Sequence, residues 1–297
     1  KRNNHATDAP HARHTRTDKL RLYTMTGRYL DTYDAACDRT AAQVMAHYST
    51  SFSLATRLLP QPMRTDIRNL YAVVRIADEI VDGTTAQAHE CAETAIDAYE
   101  AAVLHAPAHR FHTDPVLHAF AATARACRFP EAELRAFFAS MRSDLPDQPD
   151  LPLDDYIYGS AEAIGLLCLR AFYRGDEAAL TPDLTAGARA LGSAFQKINF
   201  LRDVVEDSAL GRSYTEHSLI DAPTHPFIPQ IRTELAQAKE QIPNLPARVR
   251  PAVKVATALF EDLNDRIEET PPAQLRTTRV RVPNHRKLAI AARALCQ

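Results

Sequence analysis

Apolar residues recur every three or four positions along most of the chain, which is the period of amphipathic helices. Prolines separate many of these periodic segments. The pattern predicts helices over residues 31–48, 62–82, 86–105, 114–128, 130–142, 153–173, 184–208, 229–242, 245–268 and 284–296. No segment alternates apolar and polar residues as a strand would. We therefore expect one all-α domain over residues 31–297, preceded by a disordered or loosely ordered tail, residues 1–30, which has no such periodicity.

Composition excludes several classes of protein. The chain has 35 Lys and Arg against 37 Asp and Glu, so no basic surface for a nucleic-acid partner is expected. Only 8 glycines occur, which argues against glycine-rich phosphate loops. The 5 cysteines have no C-x-x-C spacing, and no apolar run reaches the length of a membrane span. A cytoplasmic protein fits these observations best.

The predicted helix 62–82 places carboxylates among apolar neighbours. Asp78 and Asp82 are four residues apart, and Arg75 lies one turn before Asp78. Carboxylates in apolar surroundings need a cation or a hydrogen-bond donor. Acidic pairs at this spacing also occur elsewhere in the chain, so an ion-paired structural helix remains the alternative interpretation.

A second segment repeats this design. Asn199, Asp203 and Asp207 follow one another at intervals of four residues, with Gln196 and Arg202 beside them. Two carboxylate rows on different helices are typical of a site for Mg²⁺, which prefers oxygen ligands and often shares them with a phosphate. The neighbouring arginines therefore favour a diphosphate as the second ligand.

The residues that carry these features resemble the squalene/phytoene synthase family over about residues 45–295, and are most similar to bacterial phytoene synthases. The resemblance rests on YSTSFSLATRLLP (48–60), LYAVVRIADEIVD (70–82), YIYGSAEAIGLLCLRAF (156–172), LGSAFQKINFLRDVVEDSALGRSY (191–214) and RVRVPNHRKLAIAARAL (279–295). It implies a helical bundle of the isoprenoid synthase type around a central apolar cavity.

The resemblance also implies roles for individual residues. Mg²⁺, with Mn²⁺ as an alternative ion, would be held by Asp78, Glu79, Asp82, Asn199, Asp203 and Asp207. Substrate would be bound by Ser49, Ser51, Phe52, Arg75, Gln196, Asn199, Arg202, Arg279 and Lys287. Tyr158 would line the reaction cavity, and with Asp78, Asp82, Asp203 and Asp207 it forms the expected catalytic set. From the sequence alone, Ser49, Thr50 and Ser51 are better explained as caps of a helix. The two interpretations are compatible, because a helix N-terminus is also a natural phosphate site.

Five positions depart from the family pattern or match it loosely. Tyr48 and Thr50 stand where other members often have His and Lys, so diphosphate contacts are not assigned there. Glu162 replaces a glycine of many members, which puts the local helix packing in question. Phe260 replaces a tyrosine and receives no polar role, and Asp144 matches a family aspartate only loosely.

The implied activity is head-to-head condensation of two geranylgeranyl diphosphates, through a cyclopropyl diphosphate, to phytoene, the first step of carotenoid biosynthesis. The alternatives are condensation of farnesyl diphosphate to squalene or dehydrosqualene, and a non-catalytic assembly factor. No nicotinamide-binding pattern is visible, so NADPH is not expected. Lipid products make peripheral association with the inner face of the membrane an expectation, and later enzymes of carotenoid synthesis are candidate partners.

Overall fold

The computed structural model describes residues 28–146, 148–149, 151–204 and 226–296, and all regular structure within them is helical. The helices are α1 (Arg28–Tyr48), α2 (Thr50–Thr56), α3 (Met63–Val81), α4 (Thr84–Gln87), α5 (Ala92–His105), α6 (Pro115–Cys127), α7 (Glu131–Ser143), α8 (Leu153–Ile157), α9 (Ala163–Tyr173), α10 (Pro182–Arg202), α11 (Phe227–Gln241), α12 (Arg250–Glu269), α13 (Pro272–Leu275) and α14 (Asn284–Cys296). One π-helical turn, Tyr158–Glu162, joins α8 to α9. The predicted all-α fold is confirmed.

Most predicted helix bounds agree with the structure to within a few residues, and the differences have local causes. The predicted helix 86–105 is divided into α4 and α5, because His89 adopts a positive φ of 60° that a continuing helix cannot contain. Helix α12 begins at Arg250 rather than at residue 245. Helix α1 already begins at Arg28, within the predicted tail, and residues 1–27 lie outside the described part of the chain.

The helices pack in two groups on either side of a cavity. On one side, α3 packs against α1, α5, α6 and α7, around buried side chains that include Leu70, Phe120 and Phe137. On the other side, α10 packs against α11 and α12 around Ile198 and Ile231. Because α3 carries Asp78 and α10 carries Asn199, this packing places described residues of both predicted rows at the edge of one interior space.

Close backbone contacts hold the π-helical turn in place. A Cβ added to Gly159 would lie 2.2 Å from the carbonyl oxygen of Ala136 and 2.2 Å from Oγ of Ser140, both on α7. On the opposite side, a Cβ on Gly192 of α10 would lie 2.5 Å from the carbonyl oxygen of Ala161. Glycine at these two positions lets the turn fit between α7 and α10.

We expect Gly159→Ala to lower the free energy of unfolding by about 2–3 kcal/mol, because the backbone of α7 must move to admit the methyl group. Gly83→Ala is the matched control. Gly83 has φ 109° and open space around its Cα, so alanine there costs only the backbone strain of about 1 kcal/mol. Urea unfolding followed by circular dichroism measures both. Equal losses in the two variants would contradict close packing at the π-helical turn.

Candidate active site

A cavity of about 840 Å³ lies between the two helix groups. Its walls come from α1, α2, α3, the π-helical turn, α9, α10, α11, α12 and the segment from Arg279 to Lys287. Polar lining residues concentrate where α3 and α10 end, and the opposite part is lined mainly by aliphatic and aromatic side chains. We refer to these two parts as the polar end and the apolar end.

Arg75 holds three carboxylates of α3 at the polar end. Its guanidinium lies 3.6 Å from Oδ2 of Asp78 and 4.0 Å from Oδ2 of Asp82, and it donates to Oε1 of Glu79. The same guanidinium lies 4.5 Å from the ring centroid of Tyr48. Arg75 and Asp78 line the cavity. Asp82 is the C-cap of α3, so the helix ends where this acidic group ends.

The carboxyl of Asp78 is held in an environment that disfavours its charge. Burial raises its pKa from 3.8 to about 7; Arg75 opposes the rise, and the charges of Asp82, Asp144 and Glu79 add to it. The side chain is still 30% exposed where it borders the cavity. One guanidinium is therefore insufficient compensation for this group of carboxylates, and a bound cation would relieve the remaining repulsion.

A second carboxylate lies between two arginines at the end of α10. Asp203 is the C-cap of this helix, and its Oδ1 accepts from Nε of Arg202 at 2.7 Å and pairs with Nε of Arg279 at 2.8 Å. Gln196, Asn199, Arg202 and Arg279 line the cavity. Asp207 lies outside the described residues, so its predicted role stays a prediction.

The serine-rich segment forms the third side of the polar end. Ser49 is the N-cap of α2, and its Oγ accepts from the backbone N–H of Phe52 at 3.1 Å. The capping interpretation of Ser49 is confirmed. Ser49, Ser51 and Phe52 all line the cavity. Nζ of Lys287, from α14, donates to Oγ1 of Thr50. The lysine ammonium group therefore lies at the N-terminus of α2.

Aromatic rings form the cavity wall next to the polar end. Phe195 and Phe260 stack with ring centroids 3.7 Å apart and planes at 14°, and Phe52 lies 5.6 Å from Phe260 and 6.2 Å from Phe195. Tyr71 adjoins Phe52, and burial raises its pKa to about 12, so its hydroxyl remains protonated at neutral pH. Such rings stabilise positive charge through their faces.

The profile of the squalene/phytoene synthase family matches residues 45–215, which include α2, α3 and α10. Phe260, Arg279 and Lys287 lie beyond the matched residues. The chain belongs to the squalene/phytoene synthase family. This family consists of head-to-head prenyltransferases that act on prenyl diphosphates.

Individual relatives differ in the chemistry their names describe. The chain is 30% identical over 189 residues to a 15-cis-phytoene synthase of Paracoccus sp., covering 61% of this chain and 60% of that protein. It is 33% identical over 180 residues to a 4,4'-diapophytoene synthase of Staphylococcus haemolyticus, covering 58% of this chain and 59% of that protein. The matches thus span about 60% of the length of these two relatives.

Solved structures share the fold of this family member. A dehydrosqualene synthase in complex with a ligand superposes with a TM-score of 0.72 at 20% identity, covering 91% of this chain and 97% of the other. A squalene synthase from Alicyclobacillus acidocaldarius gives a TM-score of 0.62 at 22% identity, covering 82% of this chain and 97% of the other. At these identities the likeness concerns the fold.

The family resemblance implied that Tyr158 lines the cavity. The structure instead places Tyr158 outside the set of lining residues. Its ring lies beneath the guanidinium of Arg189, 5.4 Å from the ring centroid, and Ser160 and Ala161 line the cavity instead. The π-helical turn causes this difference, because its extra residue rotates the chain relative to a regular helix. Arg189 also donates to Oε2 of Glu162 at 2.7 Å, so the glutamate that replaces a family glycine is accommodated by an ion pair.

Three residues were missed or left undecided by the sequence interpretation. Phe195 lines the cavity one helical turn before Asn199, a spacing from which its position could have been predicted. Phe260 was given no polar role, and it serves as the stacking partner of Phe195. Asp144 accepts from the hydroxyl of Tyr156 at 3.0 Å and adds negative charge near Asp78.

The donor set at the polar end suits a hard divalent cation. Oδ1 of Asn199 is buried and has no hydrogen-bond partner among the described residues, and Asp78 supplies carboxylate oxygens at the cavity surface. Within the same residues no three Asp, Glu, His or Cys side chains are already grouped as ligands. Arginines hold Asp78 and Asp203 instead, so a cation would have to exchange with them.

Proposed function

We propose that this protein is a Mg²⁺-dependent prenyltransferase of carotenoid biosynthesis that condenses two geranylgeranyl diphosphates head to head to phytoene. One observation supports this most directly. Carboxylates and guanidinium groups from α3, α10 and the segment around Arg279 meet at one end of a cavity whose remaining wall is apolar and aromatic. A diphosphate would lie at the polar end and its hydrocarbon tail along the apolar end.

The residues at the polar end would bind and neutralise the leaving groups. Arg75, Arg202, Arg279 and Lys287 offer cationic donors to diphosphate oxygens, and guanidinium groups bind such oxygens in pairs. Asp78, Glu79, Asp82, Asn199 and Asp203, with Asp207, would hold the Mg²⁺ ions. Bound Mg²⁺ supplies charge neutralisation that makes diphosphate a good leaving group.

The aromatic wall would protect the allylic cation that remains when diphosphate departs. Phe52, Phe195, Phe260 and Tyr71 line the cavity, and their apolar rings would exclude water that quenches a cation. Tyr71 is neutral at working pH because burial raises its pKa to about 12. Attack of the second substrate's double bond on the allylic cation, with loss of one proton, would close a cyclopropane ring that keeps the second diphosphate. Departure of that diphosphate, rearrangement and loss of a second proton would then give phytoene.

The length of the cavity favours the C20 substrate. Helix α10 borders it from Asn199 at the polar end to Leu184 at the apolar end, fifteen residues that rise about 22 Å. Ala188 of the same helix lines the apolar end, and its small side chain would leave room for a long tail. The likeness to a 4,4'-diapophytoene synthase makes condensation of farnesyl diphosphate to a C30 hydrocarbon the second candidate. A non-catalytic role would not require this set of polar groups around an apolar cavity.

The direct test is incubation of the protein with geranylgeranyl or farnesyl diphosphate, with Mg²⁺ or with EDTA, followed by mass spectrometry of the extracted hydrocarbon. We expect a C40 product from the C20 substrate with Mg²⁺ and none with EDTA. A C30 product formed in preference would overturn the chain-length assignment. Absence of product from both substrates would overturn the enzymatic proposal.

A further inference from the structure

Helix α14 packs on the fold by one face and presents apolar side chains to solvent on the other. Ala291 and Ala294 are buried against Ala55 of α2 and Val255 of α12. On the outer face, Leu288 is 62% exposed and Leu295 is 48% exposed, with exposed Ala292 between them. Leu288, Ala292 and Leu295 share one side of the helix at four- and three-residue spacing. We call these three residues the outer face of α14.

The segment that carries the outer face is basic in composition. Residues 276–297 contain six Lys and Arg and no Asp or Glu, although the whole chain has a formal net charge of −2. Arg293 is exposed on α14 itself. Two further cations are sequence neighbours of residues packed beneath the helix: Arg57 follows the buried Ala55 by two residues, and Lys254 precedes the buried Val255.

The arginines beyond Arg57 extend this positive region. Burial lowers the pKa of Arg68, and the charges of Arg64 and Arg57 lower it further, as expected where cations gather.

The carboxylates of α12 lie toward its C-terminal half and are paired. Asp262 pairs with Arg286 and Arg266, and Arg232 pairs with Asp265 and Glu268. Glu269 adds a further carboxylate near Arg286. The acidic charge therefore lies near the start of α14, and the part with Arg293 and Leu295 borders on cations.

The start of α14 adjoins the cavity. Asn284 and Lys287, from the first turn of α14, line the cavity, and Leu288 follows Lys287 directly. No described helix is long and apolar enough to cross a membrane.

We propose that the outer face of α14 docks the protein on a bilayer that contains anionic phospholipid. Exposed leucines on a basic helix enter the headgroup region, and cations around them are attracted to anionic lipid. Two leucines and one alanine form a patch far smaller than the roughly 800 Å² per partner of a stable dimer, which favours lipid over a second copy. This inference does not depend on the proposed reaction.

The test is co-sedimentation of the protein with vesicles of phosphatidylcholine alone or mixed with phosphatidylglycerol, without substrate. We expect binding to the mixed vesicles that falls as salt is raised. The double variant Leu288→Ser/Leu295→Ser should bind at least about tenfold more weakly, because the burial of two leucine side chains in the bilayer is lost. Arg293→Gln should bind about fivefold more weakly than the wild type at low salt, and this difference should disappear at high salt.

Phe111→Ser provides the matched control. Phe111 is 57% exposed on the connection between α5 and α6, and its loss should leave vesicle binding unchanged. Thermal melts of all variants show whether each is folded. Failure of the wild type to bind mixed vesicles, or equal binding by the double variant, would overturn the proposal. A dimer in sedimentation velocity that the double variant disperses would assign the face to self-association and also overturn it.

Discussion

Asparagine in place of Asp78 should reduce hydrocarbon formation by about a hundred- to a thousandfold while making the metal-free protein more stable at pH 8. The loss of activity follows because a neutral amide cannot supply the charge proposed to hold the cation at the diphosphate. The gain in stability follows because the folded protein keeps the Asp78 carboxylate in surroundings that raise its pKa from 3.8 to about 7.

The sign of the stability effect depends on pH. A raised folded-state pKa favours folding while the group is protonated, and this contribution is lost as pH rises from about 4 to about 7. Above that range the wild-type carboxylate is ionised at a cost that asparagine does not have. We expect a difference of about 1–3 kcal/mol at pH 8, reduced from the roughly 4 kcal/mol of a three-unit shift because the side chain is partly exposed.

Urea unfolding in EDTA at pH 5 and pH 8, together with the product assay, measures both effects. Glu240→Gln is the control, since Glu240 is exposed on α11 away from the cavity lining, and it should change neither quantity. An Asp78→Asn protein that keeps wild-type turnover would remove Asp78 from the proposed metal site. One that is less stable at pH 8 would contradict the electrostatic description of α3.

Phenylalanine in place of Ala188 should convert the protein into one that prefers the C15 substrate. Ala188 lines the cavity eleven residues before Asn199 on α10, about 16 Å from the polar end. A large ring there would occupy the space of the last isoprene unit of a C20 tail. Losing burial of five carbons should lower turnover of geranylgeranyl diphosphate about a hundredfold or more, whereas turnover of farnesyl diphosphate should change little.

Competition between the two substrates, with C30 and C40 products separated by chromatography, gives the ratio directly. Ala236→Phe adds the same ring on the exposed side of α11 and should keep the wild-type ratio. If Ala188→Phe forms C40 hydrocarbon as fast as the wild type, the tail does not reach Ala188. If it loses both activities and its melting temperature falls, Ala188→Leu tests the same position with a smaller side chain.

The helices were predictable because each buries one face, and burial imposes a period near 3.6 residues on the sequence. The break between α4 and α5 was not, since it depends on the positive φ of His89 rather than on periodicity. The absence of Tyr158 from the cavity lining has a related cause. A π-helical turn changes which side chains face inward, and it forms here because Gly159 and Gly192 admit the close approach of α7 and α10.

At the candidate site, the sequence indicated which residues would gather but not how they pair. Because Asp78 and Asp82 lie among apolar neighbours, the sequence predicted that a positive charge would compensate their negative charges. Arg75 provides that charge. Arg279 and Asp203 form an ion pair although they are 76 positions apart in the sequence, and this contact depends on tertiary packing. The outer face of α14 escaped prediction because leucine, isoleucine and alanine occur all around that helix, and only packing against α2 and α12 distinguishes its two sides.

The placement of Asp203 between Arg202 and Arg279 has a thermodynamic consequence. A cation that takes the carboxylate releases two guanidinium groups, and a diphosphate that takes the guanidinium groups releases the carboxylate. Each ligand thereby removes the interaction that opposes the other, so the two should bind with positive cooperativity, reciprocal in size. Under the proposed function, a metal–diphosphate pair would therefore bind the polar end more strongly than either ligand alone.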